Sequence, residues 1–252
     1  MNHDVKVESE PGLPPCSTLW MGYFLFTIFA IGFPICATIY IPLYFLSFVY
    51  PDTQKPADWI LRWGIGWLMR VQPWLEGDFD LEIPDGGVLL VSNHRSHLDA
   101  FLLLSRVKGI RILAKQALFY VPFLGLMMKV TGQIPTHRGS VNSFWQAMKM
   151  IAEKLKRGQT VHVFPEMTRC EPGFRGTQNF MVAPFLMAKD VGSPVLPIVF
   201  ENTDLVWPKG TFGIRPRQKV RARTLAPLNP AEFASAEALC AEARRRIDEA
   251  LT

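Results

Sequence analysis

Within the 252-residue sequence, the segment Asn93-His94-Arg95-Ser96-His97-Leu98-Asp99 sets a carboxylate five residues after an imidazole. On one continuous helix the two could not share a face, since five steps turn the chain through roughly 500°. They can meet if His94 stands on a loop and Asp99 lies in the first turns of a helix. The carboxylate would then hold one ring nitrogen and leave the other as a general base. Such a pair needs no serine or cysteine nucleophile, because a substrate hydroxyl can be the attacking group. The same spacing also suits a plain hydrogen bond at a helix start, and the pair alone does not decide between the two. A metal site built from His94, His97 and Asp99 is not expected, because no further cluster of ligands accompanies them.

Two other segments carry groups of the right kind. Residues 132–140 (GQIPTHRGS) read as a short strand ending in a basic turn ahead of a helix, where Arg138 could clamp an anion. Phe164-Pro165-Glu166-Met167-Thr168-Arg169 follows another apolar run. There Glu166 and Arg169 could form an ion pair, or Arg169 could present its guanidinium to a phosphate.

The elements that must position these residues alternate in type. Short apolar runs bounded by turn residues occupy 87–91, 110–113, 160–164 and 194–200, and read as strands. Between them, 141–157 carries Val141, Phe144, Trp145, Met148, Ile151, Ala152 and Leu155 at helical spacing. Ser140 could cap its start and Gly158 could end it, with Lys154, Lys156 and Arg157 in the favourable last turn. Asn229-Pro230 reads as the beginning of a C-terminal helix. Strands alternating with helices predict an α/β domain, and each candidate site segment falls just after a strand, where side chains converge at a sheet edge.

Composition bounds the rest. Apolar residues make up 49% and charged residues 19%, which excludes a disordered chain. The four cysteines (Cys16, Cys36, Cys170, Cys240) lie far apart and predict neither a disulfide scaffold nor a zinc ribbon, so a reducing, cytosol-facing compartment fits. No charged residue occurs between Glu10 and Asp52, and residues 18–50 are almost wholly apolar. As a helix this stretch would run about 50 Å, against about 30 Å for a bilayer core; two spans would need roughly 40 residues. Pro34 and Pro42 interrupt it, so a kinked, tilted span or a hairpin dipping into one leaflet is expected. Lys55, Arg62 and Arg70 follow closely, which puts that side on the cytoplasmic face. Asp58 reads as a helix cap, and Trp59, Trp63 and Trp67 form one helical face, suited either to the lipid headgroup boundary or to a core. The expected organisation is a polar tail (1–17), a membrane-anchoring helical region (18–72) and an α/β domain (73–252). The basic run Arg215, Arg217, Lys219, Arg221, Arg223 reads as one face of a strand. Anionic lipid or the phosphates of coenzyme A suit it better than nucleic acid, which is not expected as a partner.

Taken together, the blocks resemble those of the glycerolipid acyltransferases, the family of 1-acylglycerol-3-phosphate O-acyltransferases. Residues 93–99 are similar to its HxxxxD motif in the form NHxSxxD, and 114–125 to its AK-x-x-L-F-x-x-PF-x-G stretch. Residues 132–138 resemble its second motif, 164–169 its FPEGTR block and 195–198 its V-x-P-[IV] block, all in the family's order. The resemblance implies an acyltransferase-type mixed sheet flanked by helices. It also implies transfer of a fatty acyl group from acyl-CoA or acyl carrier protein to a lysophospholipid hydroxyl, with no cofactor beyond that co-substrate. The default acceptor is 1-acylglycerol 3-phosphate. Another lysophospholipid, a lyso-ornithine lipid or glycerol 3-phosphate are alternatives, as is a catalytically silent lipid-binding protein. His94 would be the base and Asp99 its orienting group. Lys115, Arg138 and Arg169 would hold the acceptor phosphate, with Glu166 and Thr168 in the same substrate site; Glu166 would bond an acceptor hydroxyl or fix Arg169. The chain departs from the family at Met167, where a glycine is usual, and again in the stretch after Arg169.

Overall fold

The computed structural model describes residues 15–46, 50, 54–137, 139–171 and 173–252. Arg138 therefore lies outside the described residues. The first elements among the described residues are α1 (Thr18–Thr27), a π-helical segment Ile28–Gly32, α2 (Phe33–Ile35), a second π-helical segment Cys36–Tyr40, and α3 (Ile41–Leu46). The apolar run is thus helical but repeatedly unwound, with Pro34 inside α2 and Pro42 inside α3, where a missing amide and a crowded ring disfavour regular α-geometry. No described helix is long and apolar enough to cross a membrane.

Next come α4 (Gln54–Arg70), β1 (Leu75–Asp80), β2 (Leu89–Ser92), α5 (Leu98–Arg106), β3 (Arg111–Lys115), α6 (Leu124–Val130), β4 (Ile134–Thr136), α7 (Val141–Lys156) and β5 (Val161–Val163). They are followed by α8 (Ala183–Val191), β6 (Val195–Glu201), α9 (Thr203–Val206), β7 (Gln218–Thr224) and α10 (Ala236–Leu251). The seven strands form one mixed sheet in the order β1-β7-β6-β2-β5-β3-β4, in which only β6 and β7 pair antiparallel. Side chains alternate across it with the period of two that strands impose. In β2, Leu90 faces a core shared with α4 and α5, whereas Leu89 and Val91 face a second core under α7, α8 and α10. The sheet is therefore covered on both faces, as a largely parallel sheet requires.

The expected strands and the α7 helix are present, and Ser140 caps α7 by accepting a hydrogen bond from the Ser143 amide at 3.2 Å. Gly158, at φ +71°, follows its end. Three expectations need correction. Asp58 does not cap a helix: α4 starts at Gln54, and the Asp58 carboxylate accepts from both Nη atoms of buried Arg111 at 2.7 Å. Fixing a buried guanidinium outweighs a cap, because an unpaired charge there would be far more costly. The C-terminal helix begins after Ser235, whose hydroxyl accepts from the Ala238 amide; Asn229 caps only a short 3-10 turn, Pro230–Glu232. Of the basic run, only Lys219, Arg221 and Arg223 share a strand face, while Arg215 is buried and donates to the Leu205 carbonyl.

The Trp face of α4 points outward. Trp59 and Trp63 are 67% and 60% exposed, and Ala57, Leu61, Ile65 and Met69 take the core side. α1 behaves differently: Met21 and Phe24 are buried, and the Phe24 ring meets Trp74, Phe101 and Trp207 edge-on at 5.6–5.9 Å between centroids.

Candidate active site

Parallel pairing brings the C-terminal ends of β2, β5, β3 and β4 to one edge in that spatial order. The site segments leave from those ends: His94 after β2, residues 164–169 after β5, Lys115 at the end of β3, and Thr136–His137 at the end of β4. This is the edge at which α/β sheets expose functional groups.

At β2 the chain turns out of the sheet at Asn93. Its side chain makes a double hydrogen bond to Phe200 on β6, donating to the carbonyl and accepting from the amide, both at 2.8 Å. This continues the β2–β6 ladder one residue past its last strand pair and sets the exit angle of His94. The His94 peptide is then clamped at both of its polar atoms. Its N–H donates to Glu166 Oε1 at 2.8 Å, and its carbonyl accepts from the Cys170 amide at 2.9 Å. The imidazole stacks on Phe164 at 3.8 Å between ring centroids and 20° between planes.

His94 Nδ1 lies 3.0 Å from Asp99 Oδ2, with His94 on the loop and Asp99 in the first turn of α5, as the spacing predicts. The same oxygen accepts from the Arg95 and Ser96 amides at 2.8 and 2.9 Å. An oxygen that receives two amide hydrogens is an acceptor toward the ring as well. Nδ1 therefore carries the hydrogen and Nε2 the free lone pair. Asp99 is fully buried, while the His94 side chain keeps 18% exposure, enough for a reactant to reach it. The rest of the motif is anchored too: Ser96 Oγ donates to the Trp207 carbonyl at 2.9 Å, and Arg95 pairs with Asp204 at 3.2 Å. Beneath His94, buried His162 shares a 2.9 Å hydrogen bond with Ser92 and meets Phe164 edge-on. Burial, with a smaller contribution from His94, lowers the His162 pKa from 6.5 to about 3, so the ring is neutral.

Glu166 has protein partners of its own. It is buried, and its two oxygens accept from the His94 amide, the Gln178 amide at 2.9 Å and the Cys170 thiol at 3.2 Å. Burial first, and then the neighbouring carboxylate, push the Cys170 thiol up to about 12, which keeps it a donor. Among the described residues Glu166 makes no ion pair with Arg169; it braces the base loop instead. The Arg169 guanidinium makes no hydrogen bond to a described residue. It is half-buried, and the charges of Asp99 and Glu171 oppose the effect of that burial. Lys115 is exposed and pairs in register with Thr136. Thr168 is half-buried and lines a cavity of about 510 Å³ beside Glu166 and Met167.

Met167 stands at φ +55°, in the left-handed region that glycine occupies without strain and other residues at roughly 1–2 kcal/mol. The turn thus has the backbone of a glycine position but carries a thioether side chain. Sequence reasoning missed the structural work of Asn93, Phe164, Gln178 and Cys170. Asn93 and Phe164 lay inside quoted motifs, but nothing in their spacing shows that one splices strands and the other carries the imidazole.

Residues 79–201 match a sequence model of the Acyltransferase family. The chain is 34% identical over 177 residues to a chloroplastic 1-acyl-sn-glycerol-3-phosphate acyltransferase of Arabidopsis thaliana, covering 70% of this chain and 48% of that protein. It is 36% identical over 154 residues to the 1-acyl-sn-glycerol-3-phosphate acyltransferase of Neisseria meningitidis, covering 61% and 58%. The chain thus spans about half the length of the relatives it matches. The crystal structure of the 1-acyl-sn-glycerophosphate acyltransferase PlsC from Thermotoga maritima superposes with a TM-score of 0.70 over 93% of this chain and 92% of that one, at 24% identity, and so shares the fold. With the HxxxxD and FPEGTR-like segments both at the carboxyl edge of that fold, residues 79–201 form a domain of the Acyltransferase family.

Proposed function

We propose that this protein transfers a fatty acyl group from acyl-CoA or acyl carrier protein to the free hydroxyl of 1-acylglycerol 3-phosphate, giving phosphatidic acid. The observation that carries this reading is the 3.0 Å His94–Asp99 contact, which leaves a free imidazole nitrogen at the carboxyl edge. The names of the relatives from Arabidopsis and Neisseria support the acceptor. His94 Nε2 takes the proton of the acceptor hydroxyl as its oxygen attacks the thioester carbonyl. The tetrahedral adduct collapses with loss of the thiolate, which receives that proton from the imidazolium. Asp99 stabilises the imidazolium and holds its orientation, and no acyl-enzyme forms. Lys115 and Arg169 bind the acceptor phosphate, the second as a guanidinium with its donors free. Arg138 joins them on the strength of the sequence resemblance.

The domain works at a membrane surface on its cytoplasmic side. Support comes from the outward Trp59 and Trp63 and from exposed Leu19, Phe26, Phe29 and Phe45 in the apolar run. Indole rings and arginines interleaved on one helix suit the headgroup layer. The deciding experiment incubates purified protein with labelled acyl-CoA, acyl carrier protein and a panel of lysolipids, and identifies products by mass spectrometry. Phosphatidic acid from lysophosphatidate is expected. Acylation of another lysolipid in preference would replace the acceptor, and no acylated product from any would sink the reading.

A further inference from the structure

His97 is exposed at the start of α5, two residues before Asp99. Its imidazole makes no hydrogen bond to a described residue and lies tilted by 57° against the Trp207 ring, 5.2 Å between centroids. The segment that supports it also reaches the loop after β5. Lys209, two residues beyond Trp207, donates to the Arg169 carbonyl at 3.0 Å and pairs with Glu171. Trp207 and Lys209 thus tie His97 and Arg169 to one short segment, and the Trp207 carbonyl steadies the base loop through Ser96.

The charges acting on the His97 ring come from Arg169 after β5 and from His94 and Asp99 beside it, while Lys209 is already paired with Glu171. Although the residue is open to water, its ring is crowded enough that burial is the largest effect on it. Burial, then the charges of Arg169 and His94, against the opposing Asp99, lower its pKa from 6.5 to about 4. At neutral pH the imidazole beside Arg169 is therefore neutral, with one ring nitrogen a donor and the other an acceptor. A permanent cation in its place would oppose the charge that the His94 ring must gain in proton transfer. A neutral imidazole supplies a donor without that opposition until an anion is bound.

We propose that His97 is a further group of the acceptor's phosphate seat, donating to a phosphate oxygen beside Arg169, taking up a proton from water as a phosphomonoester dianion settles there, and so favouring monoester over diester headgroups. The proposal rests on the acyltransferase reading for the identity of its ligand. A dianion brings a second negative charge to stabilise the imidazolium, and a phosphodiester lacks it.

His97→Phe keeps a ring against Trp207 and removes both nitrogens. Full-length protein and this variant, in detergent and without any thioester, are offered equal amounts of 1-oleoylglycerol 3-phosphate and 1-oleoylglycerol 3-phosphocholine. Retained lipid is read by native mass spectrometry. The ratio of monoester to diester should fall about tenfold or more in the variant, as loss of a hydrogen bond to a charged group implies. The unsubstituted protein supplies a second measurement, an NMR titration of the His97 ring, whose signal is identified by its absence from His97→Gln. Saturating glycerol 3-phosphate should raise its midpoint by about 1–3 pH units. An unchanged lipid ratio, an equal loss of both lipids, or a midpoint that stays in place would each overturn the proposal. Neither measurement needs turnover. Absence of acyl transfer by the unsubstituted protein would therefore count against the acyltransferase reading, while the His97 contact stands or falls on bound lipid and on the titration.

Discussion

The two ends of the carboxyl edge differ in how fully their polar groups are engaged. At the β2–β5 end, the His94 amide, the His94 carbonyl, its Nδ1 and both oxygens of Glu166 all have partners within 3.2 Å. Toward β3 and past Thr168, Lys115 is exposed and the Arg169 guanidinium makes no hydrogen bond to a described residue. On the proposed function, the difference follows from what each end would do. Proton transfer requires a base held at a fixed distance, and a fixed base is built from satisfied hydrogen bonds. Capture of a phosphate requires donors that are still available when the ligand arrives.

The sharpest way to break the comparison is His94→Ala, which should lower kcat by about 10²–10⁴-fold. The variant should fold normally, because Glu166 and Cys170 grip the peptide of residue 94 and not its ring. Near-normal turnover by pure variant would end the general-base assignment. Arg169→Ala probes the other end: the apparent KM for lysophosphatidate should rise roughly 10–150-fold, corresponding to about 1.5–3 kcal/mol for a charge-assisted contact. The KM for the thioester should stay where it is. If only the donor KM moved, the recognition end would have been assigned to the wrong substrate.

Glu166→Gln tests whether the carboxylate braces or binds. A glutamine presents an NH₂ where two acceptors are needed, so stability should fall by about 1–3 kcal/mol in urea titrations. kcat should drop while the acceptor KM holds; the reverse pattern would return Glu166 to the substrate. The smallest effect is a pH slope. The folded-state pKa of His162 is about 3 against 6.5 for an ordinary histidine, so below pH 6.5 the unfolded chain binds a proton that the folded chain refuses. Stability is then lost as pH falls from 6.5 toward 3, at up to about 1.4 kcal/mol per unit. His162→Gln should flatten that component, and an unchanged slope would place the acid sensitivity elsewhere.

Much of this arrangement was legible in the sequence because it depends on local rules. Ser140 and Gly158 bracket α7 by chemistry confined to a few residues, and the His94–Asp99 spacing constrains where the two can meet. The unreadable parts are long-range. Glu166 reaches His94 across 72 residues and Asn93 reaches Phe200 across 107, and neither partner is marked by its neighbours. Asp58 resembled a cap because nothing nearby reveals Arg111, 53 residues on. β1 (LEGDFD) was missed because it is an edge strand with little buried surface, so it lacks the apolar run that marks the central strands.

The burial of Phe24 bears on how the protein can be handled at the bench. Its ring touches Trp74, Phe101 and Trp207, and the Trp207 carbonyl holds Ser96 in the HxxxxD motif. Trimming the apolar run to make a more tractable sample would uncover three aromatic rings at once and loosen the carbonyl that steadies the loop beside His94. A shortened protein should therefore be stickier than the original, and a loss of turnover in it would say nothing about membranes. Replacing the outward Leu19, Phe26 and Phe29 with polar residues, while leaving Phe24 in place, is the change that separates attachment from integrity.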